Sequence, residues 1–335
     1  MKIHELKIEG FKSIGEIKLV EPNPFSVFVG PNAAGKSNIF EALEFMELCN
    51  FMETDEAIRF FGNPNDIFNQ TIKNRHRISF SIDLGSSKPF LEFIAIENGV
   101  YKSSVDDFGY IGRFKNEKNN DESRKTDYHI FTNFTRLFVN NNSKVKRNLQ
   151  DDSRLASDGS NLEIILKRIL RATKNRDEII EILQLLIPGF SNVEIKTADL
   201  SGSDNLLVYE DALDKPLTKR LISDGTYNIL ALITAIYQSE KPQFLCIEEP
   251  ENGLNPKVVR QLVSLFRDKC KEKGHYIWLN THSQTLVSEL TPEEIILVDK
   301  VNGNTEVKQV KGFDLHGMKM DEALLTNALG GGIPW

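Results

Sequence analysis

One stretch, Gly30-Pro31-Asn32-Ala33-Ala34-Gly35-Lys36-Ser37, narrows what this chain can fold into more than any other. Its G-x-x-x-x-G-K-S spacing is that of a loop wrapped around a phosphate chain. Glycines let consecutive backbone N–H groups turn inward on one small anion, and the helix that follows adds its positive N-terminal end. Lys36 then reaches the outer phosphates, and Ser37 offers its hydroxyl to Mg2+. The flanks fit. Phe25 to Val29 is a short apolar run suited to a buried strand, and Ile39, Ala42, Leu43 and Met46 recur at i, i+3, i+4 and i+7. Strand, loop and helix in that order predict an α/β domain with a phosphate site beside a strand end.

The 335 residues suffice for one large α/β domain or two smaller ones. Lys plus Arg number 41 against 48 Asp plus Glu, a net charge of -7. That balance argues against nonspecific coating of nucleic acid and leaves room for a local basic groove. Cys49, Cys246 and Cys270 lie far apart, which suggests neither a disulfide framework nor a thiolate metal site. No apolar run approaches the roughly 18 residues of a membrane span. A soluble, cytoplasmic protein is expected, with no membrane partner.

Along the chain, Leu6 and Ile8 alternate with Lys7 and Glu9 up to a turn at Gly10, and Gly15 to Val20 is read as a pairing strand. After the phosphate loop and its helix come a polar bend at Gly62 to Asp66 and two strands, Arg77 to Leu84 and Phe90 to Ile96. From Gly99 to about Asn161 the texture turns polar, with Lys115 to Ser123 and Asn140 to Ser143 expected as exposed loops of an inserted lobe. Lys144, Lys146, Arg147 and Arg154 there are read as a solvated face, with contact to a nucleic-acid backbone as the sharper alternative. Leu162 to Leu170 and Ile179 to Ile187 have helical spacing.

Phe244 to Ile247 is a continuous apolar run of the kind buried on both faces of a parallel sheet, and Glu248-Glu249-Pro250 follows it at once. Two adjacent carboxylates at a buried strand end are costly unless a cation is near; Mg2+ bound with a nucleotide supplies one. Asn255-Pro256 caps a helix through Phe266, and the strand Tyr276 to Leu279 delivers Asn280-Thr281-His282-Ser283 at its end. Ile295 to Val310 has the form of a hairpin turning at Asn302-Gly303. In the tail, Leu324, Leu325, Ala328 and Leu329 make a short apolar stripe ahead of Gly330 to Gly332 and Trp335. It is expected to fold back on the sheet domain, with docking of a partner through Trp335 as the alternative.

These motifs together resemble the ABC-type ATPases, and within them the branch of RecF, the SMC heads and the ATPase part of OLD-family proteins. Ile8 to Ser13 looks like that branch's opening strand and turn, and Gly30 to Ser37 like its Walker A loop. Leu221 to Thr226 resembles the signature motif, and Ile247 to Leu254 the Walker B strand end and D-loop; His282 is similar to the switch histidine. The resemblance implies an ABC-ATPase head with a β-rich N-terminal part, a mainly parallel core sheet and an inserted helical lobe. In that scheme residues 1–98 carry Walker A, 99–228 form the inserted lobe ending in the signature, 229–311 carry Walker B, D-loop and switch histidine, and 312–335 are a tail.

The implied cofactors are ATP and Mg2+. Asn32, Ala33, Ala34, Gly35, Lys36, Ser37 and Asn38 would line the phosphates, with Lys12 and Ser13 beside them; Ser37 and Glu248 would serve the metal. Glu249 would orient and deprotonate the attacking water, His282 would contact the γ-phosphate, and Ser223 and Gly225 would reach the ATP held by a second copy. An ATP-sandwiched homodimer follows from the resemblance. Asp224 stands where transporters have glycine, which points to the RecF and OLD branch, and Glu248 replaces the usual aspartate. OLD-family proteins carry a nuclease domain after the ATPase, and little chain follows His282 here. The expected function is therefore an ATP-driven switch for a separate effector, a nuclease, in prokaryotic anti-phage defence or DNA repair. The alternative is a RecF-like clamp that binds DNA without an effector.

Overall fold

A computed structural model of the chain describes residues 2–52, 54–72, 77–85, 90–96, 99–105, 133–138, 153–198, 202–326 and 328–329. The N-terminal part runs β1 (Glu5–Glu9), β2 (Glu16–Val20), β3 (Phe25–Val29), α1 (Lys36–Phe51), α2 (Thr54–Phe61), α3 (Pro64–Ile67), β4 (Arg77–Asp83), β5 (Phe90–Ile96) and β6 (Gly99–Val105). The middle holds β7 (Phe134–Leu137), α4 (Leu162–Leu170), α5 (Thr173–Leu186), β8 (Phe190–Thr197), β9 (Asp204–Glu210) and β10 (Leu217–Thr218). The remainder is α6 (Asp224–Tyr237), β11 (Phe244–Glu248), α7 (Pro256–Lys273), β12 (Tyr276–Thr281), α8 (Gln284–Val287), β13 (Ile295–Val301), β14 (Asn304–Gln309) and α9 (Met320–Leu325).

A six-stranded sheet of order β14-β13-β3-β12-β11-β7 forms the centre, parallel except for β14. Its inner strands β3, β11 and β12 are largely apolar on both faces because each face has its own core. Phe25, Val27, Leu245, Ile247, Ile277 and Leu279 point to one side, with α4 to α7; Phe28, Phe244, Cys246 and Trp278 point to the other, with α1 and the N-terminal strands. This is the period-2 rule of a strand applied to a sheet covered on both faces. Trp278 is fully buried, its ring centroid 4.7 Å from Phe244 and 5.3 Å from Phe28. Burial of each such side chain contributes about 1.5–3 kcal/mol.

The N-terminal strands form an antiparallel sheet of order β2-β1-β4-β5-β6, as the alternation in β1 and β2 predicts. Parallel pairing brings three strand ends together: Glu248 of β11 lies opposite Asn280 of β12, and Thr281 of β12 opposite Val29 of β3. Each of these strands runs directly into one of the motifs. The hairpin β13–β14 turns at Asn302 and Gly303, with φ of 50° and 84°, the pair of left-handed residues a two-residue hairpin loop demands.

Three features depart from the expected pattern. Within the stretch expected to be loops of an inserted lobe, β6 extends the N-terminal sheet and β7 forms an edge of the central one. The lobe itself is more than helical, since β8, β9 and β10 make a three-stranded antiparallel sheet beside α4 and α5. Arg154 also turns inward, donating to Phe134 O at 2.7 Å and pairing with Glu47, instead of forming a solvated face. Lys115 to Ser123 and Asn140 to Arg147 lie outside the described residues. In the tail, Met320, Ala323, Leu324 and Leu329 are buried in the core of the helical side, while Leu325 is exposed. Trp335 lies outside the described residues. Among those described, no helix is long and apolar enough to cross a membrane.

His275, between α7 and β12, has no exposed surface, and burial with help from Lys273 lowers its pKa to about 4. The unfolded chain takes up a proton near pH 6.5 that the folded chain refuses until about 4. Stability is therefore expected to fall as pH drops through that window, by about 3 kcal/mol in all. Thermal melts of wild type and His275→Gln between pH 7 and pH 5 check this. The wild type should lose more melting temperature than the variant; equal losses would exclude His275 as the cause.

Candidate nucleotide-binding site

The phosphate loop leaves β3 and enters α1 through Gly35, whose φ is 103° and which offers no side chain to cap the helix. There is no acidic residue in the first turn of α1. Its N-terminal N–H groups thus face the loop with no carboxylate from the helix's own first turn to compete with an anion. Glycine is required at this position sterically as well as conformationally: a Cβ there would lie 1.9 Å from Thr305 Oγ1 and 2.7 Å from Ser13 Oγ. Thr305, fully buried on β14, donates to Ala34 O at 2.9 Å and shares a 2.6 Å hydrogen bond with Ser13, which also accepts from Asn38 Nδ2 at 2.6 Å. The C-terminal hairpin therefore braces the back of the loop.

Lys36 is 4% exposed, and its ammonium donates to Gly30 O at 2.7 Å and Pro31 O at 2.9 Å. Burial lowers its pKa to about 8, against the pull of Glu249 and Glu248. Anionic phosphates bind the charged form. Nucleotide affinity should accordingly be level up to about pH 8 and then fall by up to about tenfold per pH unit. Calorimetric titrations between about pH 7.5 and 9.5 measure this, and an affinity level across that range would contradict it.

Ser37 Oγ donates to Glu248 Oε2 at 2.5 Å, and Asn280 Nδ2 donates to the same oxygen at 3.2 Å. The other oxygen, Oε1, accepts from Arg136 Nε at 2.9 Å and Nη2 at 2.6 Å. Ser37 and Glu248 thus put two hard oxygens side by side next to the phosphate loop. Among the described residues no cluster of three or more His, Cys, Asp or Glu could hold a metal by itself. At a nucleotide, phosphate oxygens and water supply most ligands of Mg2+, and the protein adds one or two oxygens.

Glu249 sits one residue beyond β11 with φ of 48°, held by its N–H donating to Asn280 O at 2.8 Å and by Asn252 Nδ2 donating to its Oε2 at 2.8 Å. A left-handed conformation at a non-glycine residue costs about 1–3 kcal/mol and persists where surrounding bonds fix it, commonly at functional sites. Glu251 is half-buried: its Oε1 accepts from Thr281 Oγ1 at 2.6 Å and from the His282 N–H at 3.3 Å, and desolvation raises its pKa. Pro250 to Leu254 are in this way tied to the strand end that carries His282.

Ser223 and Gly225 lie at the exposed start of α6, where Ser223 Oγ caps the helix by accepting from Thr226 N at 3.1 Å. Among the described residues no hydrogen bond joins them to the phosphate loop. They pack on the D-loop instead. A Cβ on Gly225 would meet Gly253 O at 2.6 Å, and Asn228 Nδ2 donates to Pro250 O at 3.1 Å and Asn252 O at 2.8 Å. Lys12, with φ of 48°, pairs with Glu41 of α1 beside the rings of Phe11 and Phe61, so its ammonium faces α1. Arg136, Asn228, Glu251, Asn280 and Thr305 have no individual role among the expectations drawn from the sequence. For Asn280 and Glu251 a signal exists, since both stand within motif strings; the other three are polar residues whose partners are distant in sequence.

A parallel sheet with a phosphate loop, a carboxylate pair and a histidine at three adjacent strand ends defines an ATPase head of the ABC type. The chain belongs to the family described as "AAA domain, putative AbiEii toxin, Type IV TA system", whose match spans residues 25–288. It is 36% identical over 78 residues to a putative ABC transporter ATP-binding protein of Pyrococcus abyssi, covering 23% of this chain and 29% of that one. It is 29% identical over 119 residues to the DNA replication and repair protein RecF of Lactococcus lactis, 34% of this chain and 31% of the relative. These matches span about a third of each relative's length. Its fold is that of an SMC head solved with the C-winged helix domain of ScpA: TM-score 0.61, 18% identity, covering 92% of this chain and 97% of the other. A second SMC head, from Pyrococcus furiosus, gives a TM-score of 0.59 at 16% identity, covering 98% and 99%.

Proposed function

We propose that this protein binds and hydrolyses ATP as a dimeric switch that drives a separate effector in prokaryotic defence or DNA repair. The observation that carries the enzymatic part is the contact of Ser37 with Glu248 beside Lys36, with Glu249 held one residue further on. Phosphoryl transfer to water needs positioning and charge neutralisation more than covalent chemistry. Lys36 would neutralise the outer phosphates, Glu249 would orient and deprotonate the attacking water, and His282 would bond the γ-phosphate. Ser37 and Glu248 would hold Mg2+, which neutralises charge on the phosphate oxygens when bound. Ser223, exposed, and Gly225, half-buried, at the start of α6 would meet the ATP of a second copy.

The effector part is supported by the family description, which names a putative toxin of a Type IV toxin–antitoxin system, and by the SMC head solved with a winged-helix domain of a second protein. The RecF relative, a DNA replication and repair protein by name, favours the clamp reading. One experiment separates them. The protein is purified from its native host with whatever accompanies it, and ATP hydrolysis and DNA cleavage are measured with and without the accompanying chain and with and without DNA. DNA cleavage that requires both chains and ATP supports the switch. ATPase stimulated by DNA in the isolated chain, in a salt-dependent way, supports the clamp and overturns the effector.

A further inference from the structure

Glu248 stands where the ABC-type ATPases usually have aspartate, and the extra methylene has a visible use. Its two oxygens do different work: Oε2 lies 2.5 Å from Ser37 Oγ, while Oε1 is gripped by Nε and Nη2 of Arg136. Arg136 is itself fixed from three directions. It rises from β7 opposite Cys246 of β11, its Nη1 donates to Glu44 Oε2 of α1 at 2.8 Å with Glu41 at 3.6 Å, and its guanidinium lies 4.4 Å from the Phe138 ring centroid. The arginine side chain is 6% exposed and that of Glu248 3%.

We infer that Arg136 is a positioning residue for Mg2+, holding one oxygen of Glu248 so that the other is presented at Ser37, and that glutamate occupies this position because its length matches that arginine. The inference rests on the ATP-binding reading above. An aspartate carboxyl would stand about 1.5 Å nearer the β11 backbone, one carbon–carbon bond short, and could not span from Arg136 to Ser37. A lysine at 136 would keep the charge but lose the fork that lets one side chain hold Glu248 and Glu44 together. A buried carboxylate released from its partner also loses its compensating charge, so its direction is no longer set by the fold.

The test is calorimetric titration of ATP at a series of Mg2+ concentrations and in EDTA, for wild type, Arg136→Lys, Glu248→Asp and the double variant, with a melting temperature for each. Groups that orient a metal ligand typically control metal affinity by about 10–100-fold. Each single variant should therefore raise the Mg2+ concentration giving half-maximal tightening by about tenfold or more, with affinity in EDTA little changed. The double variant should be no worse than the poorer single one, because both break the same contact. A lowered melting temperature with an unmoved half-point would make the pair merely structural and overturn the inference, as would shifts that multiply in the double variant. Should Arg136→Lys fail to fold, Glu248→Asp decides alone, since it keeps the charge and introduces the residue usual at this position. A wild type that binds no ATP at any Mg2+ concentration overturns the proposed function and this inference together; a wild type that binds while the variants match it overturns the inference alone.

Discussion

Replacing Lys36 with alanine is expected to abolish ATP turnover and to weaken ATP binding by at least a hundredfold. Lys36 is the nearly buried cation at the centre of the phosphate loop, and its ammonium already faces inward on Gly30 O and Pro31 O. In the proposed reading, arriving phosphate oxygens take over from those carbonyls. A charge-assisted bond to phosphate in a site screened from water is worth several kcal/mol, and about 1.4 kcal/mol corresponds to a factor of ten. Removing the side chain leaves the carbonyls of Gly30 and Pro31 without that donor but also takes a charge out of a buried position, and with the two effects opposed the fold should survive with a small change in melting temperature. Calorimetry with ATP and a phosphate-release assay give the two numbers. Binding that is unchanged in a folded Lys36→Ala protein would remove the phosphate loop from the site altogether.

The parts of the fold that were legible in the sequence are those whose signal is local. β3, β11 and β12 are continuous apolar runs because both faces of the sheet are covered, and the turn at Asn302-Gly303 declares itself by the two left-handed residues it needs. α4 occupies the same residues as the helical spacing, Leu162 to Leu170, while α7 runs past Phe266 to Lys273 before Gly274 stops it with φ of 68°. β7 had no such signal. Phe134-Thr135-Arg136-Leu137 is buried throughout, yet it contains an arginine that only carboxylates from α1 and β11 make tolerable, and neither lies near it in sequence. β8 mixes buried Phe190 and Val193 with half-exposed neighbours, so neither a run nor an alternation marks it. The same division holds at the site. Ser37, Glu248 and Glu249 stand in strings whose spacing carries their chemistry, whereas Thr305 and Asn228 matter through contacts that exist only once β14 is laid against the phosphate loop and α6 against Pro250 to Asn252.

Glu249→Gln should lower ATP turnover by roughly a hundredfold or more while leaving ATP bound, because glutamine keeps the shape of the side chain but cannot accept the proton of the attacking water. The geometry around it favours a clean result. The backbone of residue 249 is fixed by Asn280 O, and the side-chain oxygen that accepts from Asn252 remains in the amide. If ATP closes two copies on one another and hydrolysis opens them, this variant should accumulate as a dimer when ATP is added, measured by light scattering. Ser223→Arg added to it should abolish that dimer: Ser223 is exposed and caps α6, and a large cation there would occupy the space proposed for the facing ATP. The contact in trans has a sharper check. A mixture of Lys36→Ala and Ser223→Arg chains, each inactive alone, forms some dimers in which one site pairs an intact phosphate loop with an intact signature. Those dimers should recover part of the ATPase rate. A mixture as inactive as its components, in chains shown to exchange, would mean that Ser223 does not act across an interface and that the site is complete within one copy.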